Sequence, residues 1–149
     1  MTVEEYQETY GVRLRHIQKP CDQAEKLYTA FCEHVPLLPP EKEAVWVIIL
    51  DCRLVIRDVV LLSLGTESKS YLDCRLVMRE VLIRDFSQFA LVHNHPSGVL
   101  TPSEEDIKTS ARIAEAAKIV GLTFIDHLVV ADEGYHAMRD NARCGEIWK

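Results

Sequence analysis

Leu91-Val-His-Asn-His-Pro-Ser-Gly-Val-Leu-Thr-Pro-Ser-Glu-Glu-Asp106 holds more chemistry than any other stretch of this 149-residue chain. It reads as the end of a buried strand, a turn and the start of a helix. His93 and His95 occupy alternate positions, and side chains at i and i+2 of a strand share a face, so one ion can touch both imidazoles. Asp106 falls just inside the helix start. Two histidines and one carboxylate, with a fourth position left to water, are the donors of a catalytic zinc site rather than a structural one. Taken alone, Asp106 would be a capping carboxylate at the third position of its helix. The two histidines are what make it a candidate ligand. Pro96, Ser97 and Gly98 read as turn formers, and Ser97 lacks the base and orienting partner that a nucleophilic serine needs.

Outward from this stretch the pattern is that of an α/β domain. Upstream, Phe89 to Val92 is a short apolar strand that delivers the histidines. Downstream, Ser103-x-x-Asp106 is a capping-box-like start with Glu104 and Glu105 at the positive end of the dipole, and the helix runs to Gly121 as its C′ residue. Leu122 to Val130 is a further strand, 132–134 a turn, and Tyr135 to Met138 a short returning strand. Earlier in the chain, apolar spacing predicts a helix over 22–34 with Asp22 as its N-cap. The prolines of 36–40 end it. Ala44-Val-Trp-Val-Ile-Ile-Leu50 is a near-continuous apolar run, the mark of a strand covered on both faces. A turn near 51–53 leads to a second strand over 54–64, forming an antiparallel hairpin closed by Gly65, and 73–85 reads as a helix. Residues 1–20 read as a polar arm, 21–142 as the single domain, and 143–149 as a tail from which Trp148 either docks or does not. These elements predict a central mixed sheet flanked by helices.

Composition narrows the function classes. With 48% hydrophobic and 27% charged residues, the chain has the make-up of a water-soluble globular domain able to close a core. No apolar run approaches the roughly 20 residues that span a bilayer, and no leading basic-then-apolar segment is present. Cys21, Cys32, Cys52, Cys74 and Cys144 are odd in number and scattered, which fits reduced thiols in the cytoplasm better than a disulfide framework or a cysteine metal site. A net charge of −6 argues against a broad nucleic-acid surface, which needs clustered Lys and Arg.

Zinc-bound water titrates near neutrality and the ion polarises a carbonyl, so the missing part of a hydrolase is a base to move the water's proton. Glu43, at the mouth of the buried strand, is the candidate by position; its alternative is a solvated charge at a strand edge. Ser103 is a candidate donor to a developing oxyanion, a role that competes with service as an N-cap. His127 beside Asp126 reads first as structural, with the alternative that the pair orients a group of the site. Asn94 points away from the ligands and reads as a hydrogen-bonding scaffold.

Glu43, then His93-x-His95, then Ser103-x-x-Asp106 resembles the JAMM (MPN/JAB) metalloprotease motif. Within that superfamily, His-Asn-His-Pro-Ser-Gly over 93–98, Pro102-Ser103-x-x-Asp106, and Asp126-His127-Leu128-Val129-Val130 look like the bacterial RadC-type proteins, with the similarity running from about residue 22 to 141. The resemblance implies a single JAB/MPN-like domain with a curved mixed sheet and a cytidine-deaminase-like architecture. It implies one zinc per chain held by His93, His95, Asp106 and water, with Glu43 as general base and Ser103 aiding the oxyanion. Two local features depart from the family: Val45 stands where an aromatic is usual, and Gly98-Val99-Leu100-Thr101 replaces a more polar loop. Family members usually carry a helix-hairpin-helix-like region ahead of this domain, for which the 149 residues leave no room.

The resulting expectation is a zinc-dependent hydrolase of peptide or isopeptide bonds, its partner a peptide or protein substrate. The alternatives are a non-catalytic, metal-stabilised module that binds a protein, and a DNA-repair or recombination accessory suggested by the family name. A nucleobase deaminase also pairs zinc with a glutamate, but the Pro-Cys-x-x-Cys ligand pair of that class is absent.

Overall fold

The computed structural model describes residues 19–65 and 72–149. The expected N-terminal arm therefore falls almost wholly outside the described residues. Among the described residues, three helices, α1 (Ala24–His34), α2 (Cys74–Leu82) and α3 (Glu104–Val120), accompany five strands, β1 (Ala44–Leu50), β2 (Ile56–Leu64), β3 (Gln88–Asn94), β4 (Thr123–Ala131) and β5 (Gly134–Ala137). The strands form one sheet in the order β2-β1-β3-β4-β5. β3 and β4 run parallel and every other neighbouring pair is antiparallel. The sheet is therefore mixed, as the interleaving of helical and strand patterns predicts.

Every residue of β1 is buried, because helices cover both faces of the sheet. Its even positions, Ala44, Trp46, Ile48 and Leu50, pack with Leu27 and Phe31 of α1 and with Ala90, Val92, Leu128 and Val130. Its odd positions, Val45, Val47 and Ile49, pack with Val77 and Val81 of α2, Ile113 and Ala117 of α3, and Phe89 and Leu91. The period-2 alternation of strands thus sorts the core into two layers. No helix among the described residues is long and apolar enough to cross a membrane.

Several expected boundaries shift for identifiable reasons. Asp22 is not the cap of α1. The capping position is Gln23, with no side-chain bond, because the Asp22 carboxylate instead pairs with Lys26 at 2.7 Å. β2 begins at Ile56 rather than 54, since Leu54 adopts a left-handed φ of 63°. There, Asp51 Oδ1 accepts from the amides of Arg53 and Val55, which prolongs the turn. The helix expected over 73–85 ends at Leu82, with Asp73 as its cap, and Asp85 turns left-handed at φ 59°. Residues 138–149, which include the tail expected over 143–149, pack against the domain through Met138, Cys144, Ile147 and Trp148. They form two 3-10 turns, Met138–Asp140 and Gly145–Trp148, and Trp148 docks with its ring 5.3 Å from that of Phe124.

Phe31 is fully buried and meets Trp46 edge-on at 5.3 Å, so it anchors α1 to the sheet. Phe31→Ala is expected to lower the unfolding free energy by about 3–5 kcal/mol, measured by urea denaturation. A loss below about 1 kcal/mol would show that α1 is not part of the cooperative core.

Candidate metal centre

The end of the sheet where β3 stops and β1 starts gathers the polar residues. Val45 pairs with His93 across the antiparallel β1–β3 ladder. Continuing that register by two residues sets Glu43 opposite His95, on the face that His93 and His95 share. On the other side of β3, the amide of His95 donates to the carbonyl of Val130 at 2.9 Å. His95 is therefore held to the sheet although it lies beyond the last residue of β3.

α3 brings the acid. Ser103 Oγ accepts from the Asp106 amide at 3.0 Å, and Asp106 Oδ2 accepts from the Ser103 amide at 2.8 Å, a complete capping box. The box fixes the Asp106 carboxylate at the head of the helix, facing the imidazoles. His93 Nε2 and His95 Nε2 lie 2.9 Å apart. Asp106 places Oδ1 3.2 Å from His93 Nε2 and Oδ2 3.2 Å from His95 Nε2. Glu43 Oε1 is 3.5 Å from His95 Nε2. The three residues expected as ligands and Glu43, expected as the base, thus meet, and among them Glu43, His93 and His95 offer ligand atoms within 4.8 Å of one another, a group that does not include Asp106.

These spacings suit a zinc ion. A tetrahedron with metal–ligand bonds of about 2.0–2.1 Å has edges of roughly 3.3–3.4 Å, and the His93, His95 and Asp106 atoms stand 2.9–3.2 Å apart, slightly inside that value. The donors are imidazole nitrogen and carboxylate oxygen, with no thiolate among them, a set that zinc accepts in catalytic sites. Burial works to raise the Asp106 carboxyl, but hydrogen bonds from His93 and His95 outweigh it and hold the group well below the usual carboxylate range. Burial likewise opposes a charge on His95, yet its bonds to Asp106 and to the Val99 carbonyl raise its pKa overall. The pocket attracts positive charge, and its acid stays ionised to receive it.

The rings are steered from behind. His95 Nδ1 lies 2.7 Å from the Val99 carbonyl, an acceptor that leaves Nε2 free to face the site. His93 Nδ1 meets His127 Nε2 at 2.7 Å, and His127 Nδ1 meets Ser110 Oγ at 2.7 Å. Burial pushes the His127 pKa well below its ordinary value, so that ring is neutral. An ion at His93 Nε2 would leave that ring's proton on Nδ1, where it would be donated to His127 Nε2. His127 then donates from Nδ1 to Ser110, whose hydroxyl donates to Met138 Sδ at 3.8 Å. Reading His127 first as structural therefore missed its contact with His93. The alternative pairing with Asp126 is also not observed, because successive strand residues face opposite sides. Asp126 Oδ1 instead accepts from the amides of His127 and Arg139.

Ser103 stands at the rim of a cavity of about 250 Å³ with Glu43, Val45, Leu72, Asp106 and Thr109. Its cap bond uses Oγ as an acceptor, so capping does not consume the hydroxyl proton. The competition expected between the two roles is therefore relieved by hydroxyl geometry. Asn94 does face away from His93 and His95, and it is buried.

Residues 21–143 match the family model of the RadC-like JAB domain. A UPF0758 protein of Thermotoga maritima is 35% identical over 127 residues, covering 85% of this chain and 56% of that protein. UPF0758 protein STH371 of Symbiobacterium thermophilum is 37% identical over 94 residues, covering 63% and 40%. A UPF0758 protein of Latilactobacillus sakei is 34% identical over 99 residues, covering 66% and 44%. The chain spans about half the length of the curated relatives it matches.

Two outcomes follow from the network. His127→Ala is expected to weaken zinc binding by about 10–100-fold in chelator competition, while His127→Gln, which can accept from His93 and donate to Ser110, retains most of it. Equal affinity in the alanine variant would mean that His93 needs no partner. Asp126 supplies a pH test. Burial raises its carboxyl from the usual 3.8 to about 6, so between those values the folded state holds a proton that the unfolded state has lost. Stability therefore falls as pH rises through that window, by about 3 kcal/mol. Denaturation at pH 4 and pH 7 should show Asp126→Asn gaining on the wild type by that order at the higher pH; a pH-independent difference would contradict it.

Proposed function

The chain belongs to the RadC-like JAB-domain family, and from that premise we propose that it is a zinc-dependent hydrolase of peptide or isopeptide bonds. The observation that carries this reading is the position of Glu43. Its carboxylate lies 3.5 Å from His95 Nε2, at the centre rather than at a solvated strand edge. A carboxylate within reach of the ion but outside the His93, His95 and Asp106 set is what a general base requires.

His93, His95 and Asp106 would hold the ion, and zinc when bound would activate water and polarise the carbonyl of the scissile bond. The remaining steps fall to the chain's own groups. Glu43 takes a proton from water in the cavity and passes it to the leaving amine, the two halves of general acid–base catalysis. The Ser103 hydroxyl, at the cavity rim, donates toward the oxygen on which negative charge develops. Val45, Leu72 and Thr109 line the same cavity and limit the water that competes for these groups. Capping by Ser103 keeps Asp106 oriented while the site turns over.

The test is hydrolysis of peptide and ε-amide isopeptide libraries by zinc-loaded protein, with and without chelator. Activity is expected only with zinc. Glu43→Gln should retain the ion but lose about 10²–10⁴-fold in rate, and His95→Ala should lose the ion itself. A zinc-loaded protein that cleaves nothing yet captures a protein partner would favour the binding-module reading instead.

A further inference from the structure

His93 and His95 turn to one face of the sheet, so Asn94 between them must turn to the other. There it is 2% exposed and meets the proline-rich segment that leads from α1 into β1. Its Oδ1 accepts from the Ala44 amide at 2.7 Å. Its Nδ2 donates to the Pro39 carbonyl at 3.1 Å and to the Lys42 carbonyl at 3.0 Å. Three of the four hydrogen bonds an asparagine amide can make are thus spent on residues 39–44, and they bracket Glu43 on both sides.

We infer that Asn94 is the positioning residue for Glu43, coupling the segment that bears the base to the strand that bears the ligands. The inference rests on the role proposed for Glu43 above. Pro39 and Pro40 have no amide protons with which to join a ladder, so this segment cannot be held to the sheet as a strand would be. A side chain emerging between two ligand residues does the holding instead. Ligand and base positions are therefore set by one backbone unit, and a shift of one carries the other. The Gly65 amide, donating to the Glu43 carbonyl at 2.7 Å, ties the segment from the β2 side, and Asn94 ties it from the β3 side.

The chemistry of the amide is specific. Aspartate is nearly isosteric and keeps the acceptor for Ala44, but it loses both donors and confronts two carbonyl oxygens with negative charge. Leucine would fill the volume and satisfy none of the three backbone groups, each left buried without its partner.

The experiment uses the full chain with cobalt(II) in place of zinc, and reads the pH midpoint of the cobalt absorption spectrum for wild type, Glu43→Gln, Asn94→Asp and the double variant. Zinc content by elemental analysis is expected to stay near one per chain in all four, because none of the substitutions replaces His93, His95 or Asp106. Asn94→Asp is expected to displace the midpoint in the same direction as Glu43→Gln, by at least half as much. The double variant should move no further than Glu43→Gln alone, the non-additivity expected when one residue acts through the other. A midpoint that shifts with Glu43→Gln but stays at the wild-type value in Asn94→Asp overturns the positioning role and leaves Glu43 in place. Fully additive shifts overturn it too. No shift in either variant removes Glu43 from the centre, and the inference with it. Should Asn94→Asp fail to fold, Asn94→Ser, with a single donor, carries the same comparison.

Discussion

The antiparallel register that sets Val45 across from His93 governs what happens at the open end of the sheet. A slip of one residue would turn every side chain of β3 to the other face. His93 would then enter the layer of Trp46 and Phe31, and Asn94 would enter the pocket. The register is pinned by apolar burial on both sides, since odd and even positions of β1 each have a packed layer to fill. Polar residues at the strand ends inherit their directions from that packing. The candidate centre is in this sense an output of the hydrophobic core.

Buried polar groups then impose a second condition, that each must find a partner in a region of low dielectric. His93 finds His127, His127 finds Ser110, and Asn94 finds three backbone groups. The Asp106 carboxylate faces the imidazoles while also closing the capping box of α3, so the end of a helix and the wall of a site are one object. The neutral state that burial imposes on His127 gives the chain from His93 to Met138 a single direction. A protonated ring would reverse the bond to His93 and turn that ring's proton toward any cation bound there.

Much of this was legible in the sequence. The unbroken run 44–50 announced a strand covered on both faces, Ser103-x-x-Asp106 announced the cap, and alternation of His93 and His95 announced a shared face. Each is a local rule, decided by residues a few positions apart. What could not be read was non-local. His127 reaches His93 because β4 pairs in parallel with β3, a relation between residues 34 apart in sequence. The targets of Asn94 lie 50 to 55 residues upstream. Leu54 and Asp85 take left-handed conformations that their side chains do not advertise as glycine would, so the edges of β2 and α2 were misplaced. Trp148 docks because Phe124 and the second 3-10 turn make room for it, which spacing alone cannot reveal.

The central claim is that two imidazoles and carboxylate oxygen converge on one zinc ion. X-ray absorption at the zinc edge of the loaded protein tests it most directly. The account predicts a first shell of nitrogen and oxygen at about 2.0–2.1 Å, with outer-shell scattering from two imidazole rings. A sulfur shell near 2.3 Å, or scattering from fewer than two rings, would contradict it.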